Sequence, residues 1–225
     1  MKPALAKASV PDEARRVSLI LRRLNQDYPD VVCALHHSSA WELLAATILS
    51  AQCTDVRVNM VTPALFAAYP SVEAMAVAAQ ADVEELVRTT GFFRNKAKNL
   101  IGAAKGIVER YNGEVPASME ELLTLPGVAR KTANVVLGSW FGIASGIVVD
   151  THVSRISNRL DLTKAADPQK IEQDLTKIIP KKRWVLFSHQ IIHHGRAVCV
   201  ARKPKCHVCS LYDLCWSTDK TSYTA

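Results

Sequence analysis

Four of the chain's six cysteines crowd into residues 199 to 215, as Cys199, Cys206, Cys209 and Cys215 in a C-x6-C-x2-C-x5-C pattern. Nothing else in the 225 residues restricts the fold as tightly. Four thiolates in so short a stretch can converge on one centre, a tetrahedral zinc or a cubane iron–sulfur cluster. Two disulfides fit poorly, because a disulfide framework is spread across a small secreted chain. The opening MKPALAKASVPDEARR also lacks the apolar region of a secretory signal, so a reducing cytoplasm is expected. Spacing alone does not separate zinc from iron–sulfur, since only one of the two CxxC knuckles of the usual zinc pattern is present. His207, inside that knuckle, reads as a bystander; Cys33 and Cys53 read as core residues.

The rest of the chain reads as helix after helix. Pro11 with Asp12 and Glu13 suits a helix start, and Val17, Leu19, Ile20, Leu21 and Leu24 form its apolar stripe. Ser39 with Glu42, and Ser118 with Glu121, are capping-box patterns. Gly91 stands where a C-terminal cap is favoured, and Asp167-Pro168 opens a further helix. No stretch alternates as a strand does; Ile147 to Val149 comes nearest, with Asp150 placed as a helix cap behind it. The expected fold class is all-α, with the first ten residues as a mobile arm.

Charge narrows the function. Lys plus Arg is 28 against 21 acidic residues, a net charge of +7, and a protein this basic most often meets a polyanion. The longest uncharged run, Thr132 to Val149, is broken by Asn134, Gly138, Ser139, Gly142, Ser145 and Gly146, and is too short for a membrane span of about 20 apolar residues. Arg202, Lys203 and Lys205 fall between the first two cluster cysteines, where a metal-braced loop would suit phosphate; a merely solvated loop is the plainer reading.

The segment LPGVARKTA, Leu125 to Ala133, joins two helices. Gly127 permits a tight turn at positive φ, and such a turn aims backbone N–H groups from the next helix's N-terminus at an anion. Lys131 sits in the first turn of that helix, where the macrodipole disfavours a cation by about 0.3 to 1 kcal/mol. Such a position, with partial burial, is expected to favour the unprotonated amine, which is a nucleophile. The plain alternative is a phosphate contact.

LPGVARKTANVV, followed by VVDTHVSR and then the cysteine cluster, resembles the endonuclease III family of helix-hairpin-helix DNA glycosylases, from about Trp41 to Cys215. The resemblance implies two helical domains with a DNA-binding cleft between them. One is a six-helix barrel at residues 33–146 carrying the hairpin. The other, residues 1–32 with 147–225, holds a 4Fe-4S cluster on Cys199, Cys206, Cys209 and Cys215. It implies that Lys131 attacks C1′ of the damaged nucleotide and that Asp150 assists as base or electrostatic partner. Ser50-Ala51-Gln52-Cys53-Thr54-Asp55 resembles the family's SAQ-x-TD motif, whose glutamine, here Gln52, enters the stack vacated by the lesion. Gly91-Phe92-Phe93-Arg94-Asn95-Lys96-Ala97 resembles a second wedge loop, with Phe92 where an aliphatic residue is expected. Gly127, Ala129, Arg202, Lys203 and Lys205 are implied DNA contacts. Two departures stand out: Ala129 replaces the hairpin's second glycine, where a Cβ would weaken or shift the phosphate contact, and Cys53 replaces a small residue beside Gln52.

The implied activity is a bifunctional glycosylase/AP lyase of base excision repair, acting through a lysine Schiff base and β-elimination on oxidised pyrimidines such as thymine glycol. The expected partner is double-stranded DNA with damaged pyrimidines or abasic sites, bound by a monomer in a nucleoid-associated, prokaryote-like cytoplasm and not at a membrane. The alternatives are a paralogue with mainly lyase activity or altered lesion specificity, an adenine-excising relative (argued against by Lys131), and a non-enzymatic helix-hairpin-helix module with structural zinc. His189 and His193 have i, i+4 spacing but lack a zinc protease's glutamate, so a structural role is assigned; His194 receives no role. Trp41, Trp140 and Trp184 are expected in the core. Arg15, Arg16, Arg22, Arg23 and Lys181-Lys182-Arg183 either extend the DNA footprint or form solvated faces.

Overall fold

The structure, a computed structural model, describes residues 12–221. The expected N-terminal arm and Pro11 lie outside the described residues. The described residues form helices and short 3-10 turns, with no strand. In chain order the helices are α1 (Glu13–Asp27), α2 (Ala40–Leu49), α3 (Asp55–Ala68), α4 (Val72–Ala76), α5 (Gln80–Val87), α6 (Phe93–Tyr111), α7 (Met119–Leu122), α8 (Arg130–Ser139), α9 (Thr151–Arg159), α10 (Pro168–Ile178) and α11 (Trp184–Ala197).

Side-chain caps start most of them. The Ser39 Oγ accepts from the Glu42 N–H at 3.1 Å, and the Glu42 carboxylate accepts from the Ser38 N–H at 2.6 Å. The capping box therefore closes one residue upstream of the usual place. Ser118 and Asp167 cap α7 and α10, and Pro168 occupies the first turn of α10. A 3-10 turn, Arg88–Thr90, follows α5 and ends at Gly91, whose φ of 72° only glycine adopts freely.

The chain divides into two compact units. Val32–Ser145 carries α2 to α8, two of which, α4 and α7, have only five and four residues. Its core is built by Leu43, Leu44, Leu49, Leu65, Met75, Leu100, Ile107 and Leu122. Here α4 and α5 pack on α6, and α2 packs on α8. Trp41 is buried in this core as expected, but Trp140 is 43% exposed, with only an edge contact to His37. It follows the last residue of α8, where the chain leaves the core.

The other unit comprises the described residues up to Val31 and from Gly146 onward. Val17, Ile20, Leu24, Val153, Ile156, Ile171, Leu175, Phe187 and Ile191 make its core, with Leu211 and Leu214 added from the cysteine segment. Gly195 lets α9 and α11 approach: a Cβ there would lie 2.6 Å from the His152 ring. Arg16 and Arg23 form neither a footprint nor a solvated face. Arg16 is 1% exposed and donates to the carbonyls of Leu160 at 2.6 Å and Leu214 at 3.2 Å. Arg23 donates to the Ser210 carbonyl and pairs with Asp213. Arg183 is likewise used internally, on Asn25, the Leu21 carbonyl and Gln190. α1 thus braces the cysteine segment.

Candidate nucleic-acid interface and metal centre

Cys199 follows α11, Cys206 opens a 3-10 turn with Cys209 just beyond it, and Cys215 follows a second turn, Tyr212–Leu214. Buried Leu211 and Leu214 anchor the segment. All four thiols are free of disulfides and line one pocket. Yet no three His, Cys, Asp or Glu side chains among the described residues converge as one metal ion would require. Four cysteines lining one pocket are the right number and type of ligand for a multi-iron cluster in which each sulfur takes a different iron. Burial pushes the Cys209 thiol up to about 11, and the neighbouring cysteines add to it. Thiolates gathered here need a cationic centre to stay ionised. Exposed His207 is not among the residues lining the pocket.

Two polar contacts to these sulfurs were not found from the sequence. Arg159, in the last turn of α9, donates to Cys199 Sγ at 3.3 Å, to the carbonyls of Val200 at 2.8 Å and Ala201 at 3.1 Å, and pairs with Asp219. His194, 2% exposed, places Nε2 3.5 Å from Cys209 Sγ and Nδ1 3.3 Å from the Tyr28 hydroxyl. Burial pushes its imidazole down to about 4, so the ring is neutral. If Tyr28 donates to Nδ1, the ring proton sits on the nitrogen facing the sulfur. The arginine lies 40 residues and the histidine 15 residues from the sulfurs they meet, and no local pattern announces such pairs. His189, half-buried and beside His193, is held below the usual histidine range by desolvation and by that neighbour.

The basic loop leaves the first cysteine under firm constraint. The Lys205 N–H donates to the Val198 carbonyl at 3.0 Å, while Arg159 holds Val200 and Ala201. Arg202, Lys203 and Lys205 are exposed, and Lys203 has a φ of 54°.

The hairpin is α7, a turn and α8. Buried Leu125 and Val128 pin the turn. Gly127 has a φ of 76°, and a Cβ there would lie 2.7 Å from the Asn99 side chain, so glycine is required twice over. Ala129 has extended backbone, φ −94° and ψ 169°, which any residue adopts. It gives α8 no side-chain cap. Lys131 is exposed in the first turn of α8, without the partial burial considered above. Asp150 caps α9, its Oδ1 accepting from the N–H groups of His152 and Val153, both at 2.8 Å. The adjacent His152 ring is held below its usual range by burial, and its Nδ1 lies 3.1 Å from an Arg155 nitrogen.

Gln52 and Phe92 share an unusual backbone. Both are exposed and left-handed, with φ of 53° and 48°. Five non-glycine residues have positive φ among the described residues: Gln52, Phe92, Asn112, Asp161 and Lys203. Asn and Asp tolerate that region; Gln, Phe and Lys do so at a cost of about 1–3 kcal/mol. Those three are sequence-implied DNA contacts.

Comparison with known proteins gives two family matches. The HhH-GPD superfamily of base excision DNA repair proteins matches residues 45–181, and the iron–sulfur binding domain of endonuclease III matches residues 199–215. Endonuclease III of Synechocystis is 59% identical over 92% of this chain and 94% of its own. That of Escherichia coli K12 is 40% identical over 93% and 98%. A solved structure of a trapped covalent endonuclease III–DNA intermediate superposes with a TM-score of 0.86 at 41% identity, covering 90% of this chain and 95% of that one. The cofactor is a 4Fe-4S cluster, and structural zinc is set aside. No helix among the described residues is long and apolar enough to cross a membrane.

Proposed function

The chain belongs to the endonuclease III family and is a DNA glycosylase/AP lyase of base excision repair, and on that premise we propose that Lys131 is its nucleophile, Asp150 its assisting carboxylate and oxidised pyrimidines its substrates. The observation that carries this reading is Lys131, an exposed amine in the first turn of the hairpin's second helix, next to an N-terminus with no side-chain cap. A phosphate held by that N-terminus would set the strand's register beside the amine. The covalent DNA complex of a 41% identical relative supports the same chemistry.

A base inside a duplex is unreachable, so the nucleotide is extruded at a cost of a few kcal/mol. Gln52 and Phe92 fill the gap. An oxidised pyrimidine stacks poorly and costs less to extrude, which favours it over intact bases. The Lys131 amine attacks C1′; the glycosidic bond breaks, the base leaves with the bonding pair, and the amine nitrogen gives up a proton. Asp150 stabilises positive charge on the sugar or takes up that proton. Ring opening yields a Schiff base. Loss of a C2′ proton then breaks the C3′–O bond and releases the 3′ phosphate, and water hydrolyses the imine to restore Lys131. Arg202, Lys203 and Lys205 hold flanking phosphates. The cluster, held by Cys199, Cys206, Cys209 and Cys215, cross-links the segment that carries them. The protein acts as a monomer.

The test is borohydride trapping on a duplex with one thymine glycol. A covalent protein–DNA band is expected for the wild type and none for Lys131→Ala. A band that survives in Lys131→Ala removes Lys131 from the role. No band in either, from protein that carries its cluster and cleaves abasic sites, removes thymine glycol from the substrates.

A further inference from the structure

Lys96 is a charged side chain in the wrong environment. It is 4% exposed in the first turn of α6, and the bond recorded for its amine is donation to the Thr90 carbonyl at 2.7 Å. Burying an ammonium is costly unless the site needs it. The residue it grips gives the reason. Thr90, itself 2% exposed, is tied from its other side by its Oγ1 to the Val87 carbonyl at 2.8 Å. Directly after Thr90 come Gly91 and Phe92, two successive residues at positive φ, and Phe92 is 63% exposed. An apolar side chain held out in water on a strained backbone must be fixed from beneath. Phe92, the N-cap of α6, gives no side-chain cap; only its carbonyl takes part, accepting from the Lys96 N–H at 3.1 Å.

We infer that Lys96 is the positioning residue of the Phe92 turn, its donation to the Thr90 carbonyl holding the backbone that presents Phe92 to the duplex. This rests on the reading of Phe92 as a wedge. Lys96 then governs base extrusion and leaves bond cleavage alone.

The experiment compares the holoenzyme with its Lys96→Met, Phe92→Ala and double variants under single turnover. One substrate is thymine glycol paired in a duplex. The other is an abasic site in a single strand, where nothing is extruded and no gap is filled. Lys96→Met keeps the apolar stem and removes the donor. It is expected to slow excision from the duplex on the order of tenfold, the loss of one charged hydrogen bond, with cleavage of the single strand unchanged. The double variant is expected to be no slower than Phe92→Ala, because both changes remove the same wedge. A modest fall in melting temperature is expected, since the buried Thr90 carbonyl loses its donor, and unchanged cleavage of the single strand separates that loss from damage to the site. Lys96→Leu carries the same comparison if Lys96→Met melts early. Duplex excision at the wild-type rate in the Lys96 variant, or equal losses on both substrates, overturns the inference; a selective loss in Phe92→Ala would then leave the wedge reading intact. Phe92→Ala without a selective loss overturns the wedge reading, and this inference with it.

Discussion

Asp150 carries two duties that substitution can separate. Its carboxylate caps α9 through the N–H groups of His152 and Val153, and in the proposed mechanism it also meets positive charge at the sugar. Asp150→Ala removes both and is expected to cost about 1 kcal/mol of stability as well as activity. Asp150→Ser keeps an oxygen for the cap and loses the charge. Thermal melting of Asp150→Ser is therefore expected near wild type, while single-turnover excision falls by about 10²- to 10⁴-fold, the usual share of a positioned acid–base group. Equal losses in melting and activity would reduce Asp150 to a cap. The cap was legible beforehand, from an aspartate ahead of Thr-His-Val; the chemical role is what the family motif implies. Lys96 was not. Its burial comes from the packing of α6 on its neighbours, and a lysine in sequence carries no sign of where that packing will place it.

At the scale of elements, the hairpin shows which departures matter. Gly127 combines positive φ with close approach to Asn99, so Gly127→Ala is expected to destabilise by about 1 kcal/mol or more and to weaken DNA binding. Ala129 was expected to weaken or shift the phosphate contact through its Cβ. Its extended backbone needs no glycine, so Ala129→Gly is expected to change the Kd for an abasic-site duplex by less than about threefold, within the few tenths of a kcal/mol of a surface change. A tenfold gain would show that the methyl group does stand against the phosphate. Sequence spacing located this turn and the capped helix starts, and the family resemblance pointed to the loops of Gln52 and Phe92. It did not supply the left-handed backbone at Gln52 and Phe92, because neither residue type favours it and the surrounding packing imposes it.

The whole molecule binds a polyanion with a net charge of +7, yet its arginines divide between partners. Arg16, Arg23, Arg159 and Arg183 are spent on carbonyls, carboxylates and a sulfur within the protein, whereas Arg202 and Lys205 are exposed. Arg202→Ala and Lys205→Ala are each expected to lower the slope of log K against log salt by about 0.9, one phosphate contact apiece. An unchanged slope would return the loop to solvent. Arg159→Ala is expected to release the 4Fe-4S cluster faster under chelation, read from its visible absorbance, because a donor to Cys199 and the restraint on the basic loop go together. The chain's sequence was enough for the helical class, the cysteine centre, the hairpin and the reaction family, since each depends on residues close in the chain with a characteristic order. Tertiary structure alone decided which charges are buried, which sulfurs receive donors and which backbone is strained. The arginine contacts among them join groups across 40 to 198 positions, as Arg159 meets Cys199 and Arg16 meets Leu214, where packing and desolvation, not local pattern, set the energy.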